Sequence, residues 1–112
     1  MRKVEKPWGF ENIWIENEKY VGKFMFIRPN NRMSLQYHKV KEETVYVQSG
    51  KLRVWHSEMD FDYTDFAPGD VYHVEPKKVH RFGAIGEEPV HLIEISTPEI
   101  DDVVRLADDY NR

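Results

Sequence analysis

Short runs of aromatic and β-branched residues, each ended by turn-forming residues, follow one another through most of the chain. Residues 12–16 and 21–28 are two such runs, and Pro29-Asn30-Asn31 ends the second with turn chemistry. Further strands are predicted at 33–38, 43–49, 51–56, 60–66, 71–75, 79–83 and 89–96. Many short strands separated by frequent turns are typical of a β-sandwich or barrel. The sequence therefore predicts an all-β fold, with a barrel at about residues 10–96.

The last segment changes to a helical period. Apolar residues recur there at i, i+3, i+4 and i+7, as Ile100, Val103, Val104 and Ala107. Thr97 is a suitable N-cap and Pro98 fits the first helical position. The acidic residues of the first turn, which a helix dipole would stabilise, are Glu99, Asp101 and Asp102. We predict a short C-terminal α-helix at about 98–110 and interpret these acids as helix-stabilising.

Composition narrows the class of protein. The 112 residues, 13% of them aromatic, are enough for one packed domain spanning residues 1–112. The absence of cysteine excludes thiolate catalysis, disulfides and cysteine-bound zinc. A net charge of −4 argues against nucleic acid as a partner, because binding phosphates needs a basic surface. No apolar run approaches a membrane span and no signal-peptide core is present, so we expect a cytoplasmic protein without a membrane partner.

A group of metal-ligating residue types begins at Gln36. On a strand, Gln36 and His38 face the same side because they are two residues apart. Glu43 opens the next strand after a charged turn, so a hairpin would bring it opposite this pair, and His80 would arrive from a later strand pair. Nitrogen, carboxylate and amide ligands together suit a divalent transition metal. Spacing alone leaves open an unrelated set of polar residues, because the chain has five histidines and twenty acids.

Two stretches of the chain resemble the motifs of the cupin superfamily. Residues 30–50 resemble the first motif, with Asn30 in place of a glycine and Gln36 in place of the first histidine. Residues 69–80 resemble the second motif, with its proline displaced to Pro76 and Lys77 in place of a glycine. The resemblance implies a single-domain cupin, a double-stranded β-helix or jelly-roll barrel, here followed by the short C-terminal helix.

Five ordered blocks narrow the resemblance to one branch of cupins. They are residues 6–10 (KPWGF), 33–38 (MSLQYH), 79–81 (VHR), 92–95 (LIEI) and 101–112, with DDVVR at its start and DYNR at its end. In this order they are similar to the cupin domain of type II mannose-6-phosphate isomerases, which is often fused to a mannose-1-phosphate guanylyltransferase. The resemblance implies a sugar phosphate or nucleotide-sugar as the small-molecule partner. By analogy with other small cupins, we also expect a homodimer that covers apolar strands such as 21–28.

The resemblance also implies a set of metal ligands. Type II enzymes commonly have histidine at the position of Val40, which cannot bind metal. Mannose-6-phosphate isomerases of the other type resemble this chain at a Gln-x-His pair, where glutamine, two histidines and a glutamate hold zinc. Carried over residue by residue, that pattern gives Gln36, His38, Glu43 and His80. The implied cofactor is a divalent metal ion, zinc in the first place, with manganese, iron and nickel as alternatives.

The function implied is a metal-dependent aldose–ketose isomerisation of a sugar phosphate. Such a reaction needs a base near the proton that leaves carbon, and the candidates are His73, Glu94 and Lys23. We expect His73 to face inward, but the spacing selects none of the three, and each has a structural or solvated alternative role. Arg81 is the candidate for binding the substrate phosphate, although it should face away from His80 and has a surface role as its simpler interpretation.

Two other functions stay open at this point. One is a non-catalytic, metal-containing cupin that binds a sugar or nucleotide-sugar as an accessory or regulatory domain. The other is an iron-dependent dioxygenase, which is the weakest of the three because a glutamine ligand departs from the histidine-rich sites of those enzymes.

Overall fold

The computed structural model describes residues 1–111, and its regular structure there consists of eleven β-strands with no helix. The strands are β1 (Arg2–Lys6), β2 (Gly9–Glu16), β3 (Val21–Ile27), β4 (Leu35–Tyr37), β5 (Glu43–Ser49), β6 (Leu52–Trp55), β7 (Tyr63–Phe66), β8 (Val71–Val74), β9 (Arg81–Ala84), β10 (Val90–Ser96) and β11 (Val104–Ala107). The all-β prediction is confirmed. Among the described residues, no helix has the length and apolar character that crossing a membrane requires.

The strands form three antiparallel sheets. The largest has the order β1-β2-β3-β10-β5-β8, the second β7-β6-β9, and the third contains only β11 and β4. Alternation along the strands directs one set of side chains inward, so that in β5 Glu43, Val45 and Val47 are buried while Tyr46 is exposed. The inward residues of the two larger sheets pack in one hydrophobic cluster that includes Leu92.

Backbone hydrogen bonds hold the segment around β4 against the segment that leads into β9. Gln36 and His80 exchange two such bonds, at 3.0 and 2.9 Å, and Met33 N–H donates to the carbonyl of Phe82 at 2.8 Å. Lys77 N–H also donates to the carbonyl of His38. Residues 44 positions apart in the sequence are thereby placed side by side, as the prediction of a metal site requires.

Two departures from the cupin motifs have a conformational explanation. Asn30 and Lys77, which stand where the motifs have glycine, both adopt left-handed backbone conformations, with φ of 58° and 70°. Asparagine tolerates this region better than most residues, whereas a lysine there is strained. Both positions thus have the left-handed backbone that glycine adopts most readily, although neither is a glycine.

The predicted C-terminal helix at 98–110 is wrong. Residues 98–103 form turns, and β11 then pairs with β4, with Val104 opposite Tyr37 and Arg105 opposite Gln36. A helix of this length is marginal by itself, and β-branched residues such as Val103 weaken it further. Pairing with the open edge of β4 satisfies the same backbone groups and covers the end of the barrel, so the tertiary contact overrides the local period.

Candidate metal centre and its cavity

Three of the four predicted metal ligands lie together in the interior. His38 directly follows β4, Glu43 opens β5, and His80 directly precedes β9. Their side chains are almost completely buried, and one ligand atom from each lies within 4.8 Å of the others. The Nε2 atoms of His80 and His38 lie 3.3 and 3.5 Å from the same atom, Glu43 Oε1.

Backbone carbonyls place a hydrogen on Nδ1 of both imidazole rings. His38 Nδ1 bonds the carbonyl of Asp102, and His80 Nδ1 bonds the carbonyl of Lys78 at 2.9 Å. A carbonyl only accepts, so Nδ1 carries the hydrogen and a neutral ring presents its lone pair at Nε2. Both Nε2 atoms are buried without a hydrogen-bond partner. Two unpartnered nitrogen donors beside one carboxylate oxygen fit a divalent transition metal, with the second ring nitrogens oriented by the backbone as in known metal sites.

Gln36, the fourth predicted ligand, lies beside this group. Its backbone pairs with that of His80, and its side chain lines the same cavity as His38. The amide oxygen of Gln36 accepts a hydrogen bond from Ser34 Oγ at 2.8 Å, which orients the amide and leaves one oxygen lone pair. Its role as a metal ligand stays a prediction.

A chain of buried charges extends from Glu43 away from the histidines. Lys41 Nζ lies 3.1 Å from Glu43 Oε2 and 3.3 Å from Glu94 Oε2. Lys23 Nζ lies 3.7 Å from Glu94 Oε2 and 3.2 Å from Glu11 Oε1. Positive and negative side chains therefore alternate, and all five are buried. Alternation is what makes so many charges tolerable inside a small protein, because each carboxylate has an ammonium partner.

The environment separates the pKa values of the two inner glutamates. Burial, the largest single effect, would raise the pKa of Glu43, but the positive charge of Lys41 and the hydrogen bonds to His38, His80 and Glu94 together outweigh burial and hold this pKa well below its usual range. Burial and the nearby charge of Glu43 raise the pKa of Glu94. Burial opposes the charged form of Lys41, but Glu94 and Glu43 outweigh it and raise the pKa of Lys41. Glu43 is thus the ionised carboxylate beside the histidines.

A cavity of about 80 Å³ opens beside His38. It is lined by Lys6, Trp8, Glu11, Lys23, Met33, Gln36, His38, Lys41, Ile100, Val103 and Arg105. Four of these side chains are cationic and one, Glu11, is a carboxylate. Glu94 lies behind Lys23 and Lys41 instead of on the wall, so of the three predicted bases only Lys23 lines the cavity.

Lys41 and Glu11 are site residues that sequence reasoning missed. Lys41 was assigned to a charged turn, although it precedes Glu43 by two residues and shares its inward face. That spacing is the signal that could have found it. Glu11 is 8% exposed and lies on β2, where alternation with the buried Gly9 and Ile13 gave a comparable signal.

The prediction that His73 faces inward is wrong. His73 lies opposite Thr44 on the outer face, because the side chains of β5 alternate and those of Glu43 and Val45 point inward. The His73 ring bonds Thr44 Oγ1 through Nδ1 and lies 2.8 Å from Glu42 Oε2 through Nε2. It has no access to the cavity.

The interpretation of Arg81 as a surface residue is also wrong. Its side chain is buried, with Nε donating to the carbonyl of Met33 at 2.9 Å and Nη2 to that of Ala107 at 3.0 Å. Desolvation lowers the pKa of Arg81. The guanidinium joins the segment before β4 to the end of β11, and it does not line the cavity, so its donors are used by the fold.

Asp102 holds the C-terminal segment over the site. Its carboxylate accepts hydrogen bonds from the backbone N–H groups of Lys39, Val40 and Lys41 at 2.8 to 3.1 Å. Its carbonyl is the partner of His38 Nδ1. The hydrogen bonds from the N–H groups of Val40 and Lys41 lower the pKa of Asp102 to about 2. Asp102 therefore orients a predicted ligand, whereas the sequence indicated only a helix-stabilising acid.

Replacing Asp102 should change how stability depends on pH. The folded-state pKa of about 2 lies below the ordinary 3.8, so the contribution of Asp102 is present above about pH 4 and is lost as the pH falls towards 2. We expect Asp102→Asn to flatten the dependence of the free energy of unfolding on pH in this window. At pH 7, Asp102→Ala should cost about 1–3 kcal/mol through the lost hydrogen bonds.

Urea denaturation at several pH values measures both effects, with Asp101→Asn as the matched control on the neighbouring exposed acid. If the free energy of unfolding of Asp102→Asn depended on pH below pH 4 as steeply as that of the wild type, this account of Asp102 would be contradicted.

Comparison with known proteins gives one family and a set of larger relatives. The sequence model described as "Mannose-6-phosphate isomerase C-terminal" matches residues 1–108. A mannose-1-phosphate guanylyltransferase of Escherichia coli (strain K12) is 30% identical over 114 aligned residues, which cover 99% of this chain and 23% of the relative. The chain spans only 20% to 24% of the length of the curated relatives it matches.

Solved structures with the same fold are more distant in sequence. A Klebsiella pneumoniae protein with a double-stranded β-helix domain has a TM-score of 0.79 at 17% identity, covering 94% of this chain and 84% of that one. Oxalate decarboxylase of Bacillus subtilis, described with Mn(II) centres, has a TM-score of 0.76 at 23% identity, covering 95% of this chain and 30% of that one. These likenesses confirm the predicted double-stranded β-helix.

Proposed function

Because the chain belongs to the mannose-6-phosphate isomerase C-terminal family, we propose that it is a metal-dependent isomerase of a sugar phosphate. The nominal pair is mannose 6-phosphate and fructose 6-phosphate. The observation that carries the proposal is the buried group of His38, Glu43 and His80, with two unpartnered Nε2 atoms. His38 also lines a cavity whose wall carries four cationic side chains.

His38, Glu43 and His80 would hold the metal, with Gln36 as a fourth ligand. A bound divalent metal supplies Lewis-acid stabilisation of negative charge on the sugar oxygens, worth several kcal/mol. Zinc is the proposed ion because it is commonly bound by four ligands of the nitrogen and carboxylate-oxygen types. Two imidazole nitrogens, a carboxylate and an amide oxygen would supply such a set. Manganese is the alternative, supported by the Mn(II) centres of the Bacillus subtilis neighbour.

The side chains on the cavity wall support one assignment of the proton transfer. Moving a proton between two sugar carbons needs a base that reaches it, and Glu11 carries the carboxylate on the wall. Lys23, 3.2 Å from Glu11 and also beside Glu94, is the positive partner of both carboxylates and so is a poor proton acceptor. We assign Glu11 as the base that takes the proton from one carbon and returns it to the next, with Lys23 holding it in place.

A coupled assay of metal-loaded protein with mannose 6-phosphate tests the proposal. We expect turnover in the wild type, its loss in His38→Ala and His80→Ala, and a fall in kcat of about 10²–10⁴-fold in Glu11→Gln with metal binding retained. Glu5→Gln, on an exposed acid of β1, is the matched control. If metal-replete protein turns over no hexose phosphate, the proposed isomerase function is rejected.

That outcome would favour a non-catalytic cupin that binds a sugar or nucleotide-sugar. One observation supports this alternative: the cavity of about 80 Å³ is far smaller than the 300–1,000 Å³ of typical small-molecule sites. An isomerase therefore has to take in the reacting end of the sugar alone, or move the residues 98–107 that cover the cavity.

The homodimer stays a prediction. The outer face of the largest sheet exposes Trp14, Phe24, Tyr46 and Ile95, and a second copy of the chain would cover this apolar surface. Sedimentation equilibrium should then give twice the mass of one chain, and the mass of a single chain at micromolar concentration would count against it.

A further inference from the structure

Arg105 differs from the other arginines of the described chain. Its guanidinium makes no hydrogen bond or ion pair within residues 1–111, whereas each of the others is bonded to a carboxylate or a backbone carbonyl. These bonded arginines are Arg2, Arg28, Arg32, Arg53 and Arg81. An unbonded guanidinium keeps all its donors available for a ligand.

The position of Arg105 directs it to the cavity. Arg105 lies on β11 opposite Gln36 of β4, and residues directly opposite in an antiparallel pair project to the same face of the sheet. The side chains of both line the cavity beside His38. Arg105 is an exposed residue, so it stands at the mouth of the cavity instead of its interior.

The charge around Arg105 favours an anion. The cavity wall carries four cations, Lys6, Lys23, Lys41 and Arg105, against the single carboxylate of Glu11, although the whole chain has a net charge of −4. Lys23 and Lys41 hold the buried glutamates, so they are already committed. Lys6 also has an interaction within the protein. Arg105, which makes no hydrogen bond or ion pair within residues 1–111, is thus the wall cation whose charge the described chain does not use.

The size of the cavity places the anion at its mouth. A volume of about 80 Å³ admits only part of a hexose phosphate, and a doubly charged phosphoryl group is costly to bury. If the carbon atoms that react point towards His38, the phosphoryl end remains outside, at the level of Arg105. A planar guanidinium can donate two parallel hydrogen bonds to such a group.

We infer that Arg105 binds the phosphoryl group of the ligand at the mouth of the cavity. The identity of the ligand as a sugar phosphate rests on the proposed function. The anion site itself requires neither a bound metal nor turnover, so the two can be tested separately.

Isothermal titration with inorganic phosphate, fructose 6-phosphate, fructose and GDP tests this inference. We expect Arg105→Gln to weaken fructose 6-phosphate and inorganic phosphate binding by tenfold or more. Arg105→Lys should lose less affinity for both ligands, because it keeps the positive charge although it lacks the planar guanidinium. Arg2→Gln, which removes the same charge from the surface pair with Glu16, should bind like the wild type. Tighter binding of GDP than of fructose 6-phosphate would identify a nucleotide-sugar as the source of the phosphoryl group.

Each result distinguishes the inference from the proposed function. Phosphate binding that is lost in Arg105→Gln, in a protein that isomerises nothing, supports the anion site and rejects the isomerase. Isomerisation with an unchanged KM for the sugar phosphate in Arg105→Gln supports the isomerase and overturns the anion site. Equal phosphate affinities in the wild type and Arg105→Gln, or no measurable phosphate binding by the wild type, overturn the inference as well.

Discussion

Lys41→Met should lower the free energy of unfolding by about 3–5 kcal/mol in metal-free protein at pH 7. The substitution leaves Glu43 and Glu94 buried close together without the ammonium that lies 3.1 and 3.3 Å from them. An uncompensated buried charge costs much more than a surface ion pair gains. Urea denaturation in the presence of a chelator measures the loss. Lys39→Met, on an exposed lysine two residues away, is the matched control and should stay within about 0.5 kcal/mol of the wild type.

The cause of the loss can be separated from a simple packing defect. Lys41→Met combined with Glu94→Gln removes the like charge as well, and we expect it to recover part of the lost stability. The loss should also grow as the pH rises, because the pKa of Glu94 is raised in the folded state and its protonated form is the better tolerated one. A double variant no more stable than Lys41→Met, or a loss independent of pH, would contradict the electrostatic explanation.

His80→Ala and His38→Ala should each abolish the stabilisation that a bound metal confers. A metal at one hundred times its dissociation constant adds about 2.7 kcal/mol to the stability of a protein that binds it only when folded. In the wild type we therefore expect a clear rise in Tm on adding Zn²⁺. Removing either Nε2 ligand leaves one nitrogen, the carboxylate of Glu43 and the amide oxygen of Gln36, which should lower the metal affinity by about 100-fold or more.

Thermal denaturation with and without metal checks this expectation. His91→Ala is the matched control, because His91 lies on the outer face of β10, where its ring packs against Phe26. The change in Tm caused by metal, rather than Tm itself, is the quantity to compare, since replacing the fully buried His80 also removes packing. An undiminished metal-dependent rise in both histidine variants would place the metal elsewhere.

The sequence was sufficient for the fold where period and turn chemistry agree. The strand predicted to open at Glu43 begins there, and the turn at Pro29-Asn30-Asn31 ended β3 close to its observed end at Ile27. It was insufficient at the C-terminus, where the apolar spacing of residues 100–107 fits a helix but the open edge of β4 offers a better partner. The periodicity of a segment cannot predict that it will pair with the edge of a strand more than 60 residues away in the chain.

Of the candidate site, the metal-ligating residues could be predicted from the sequence, and the charged residues around them could not. Residue types and spacing pointed to these positions, the resemblance to mannose-6-phosphate isomerases implied the ligand set, and the structure brings His38, Glu43 and His80 together. The charged residues around them could not be assigned in the same way, because lysine and glutamate are usually solvated and sequence does not show which are buried. Lys41 does lie in the connection between β4 and β5, but its side chain is buried. His73, which was predicted to face inward, lies on the outer face.

The buried charges have a consequence for the site as a whole. Glu43 faces the imidazoles of His38 and His80 on one side and the ammonium of Lys41 on the other. Lys41, together with the hydrogen bonds to His38, His80 and Glu94, lowers the pKa of Glu43 against the effect of burial, so the carboxylate is in the ionised form that binds a metal. The same ammonium joins Glu43 to Glu94 and, through Lys23, to Glu11 on the cavity wall. The predicted ligand set and the proposed base are therefore parts of one electrostatic network.

Calorimetric titration of chelator-treated protein with Zn²⁺, and separately with Mn²⁺, is the most direct measurement of the central claim. The structure predicts one ion per chain for at least one of the two metals, with binding lost in His38→Ala and His80→Ala and retained in His91→Ala. Absence of binding by either metal, or equal binding by the wild type and both ligand variants, would contradict the claim that these residues form a metal centre.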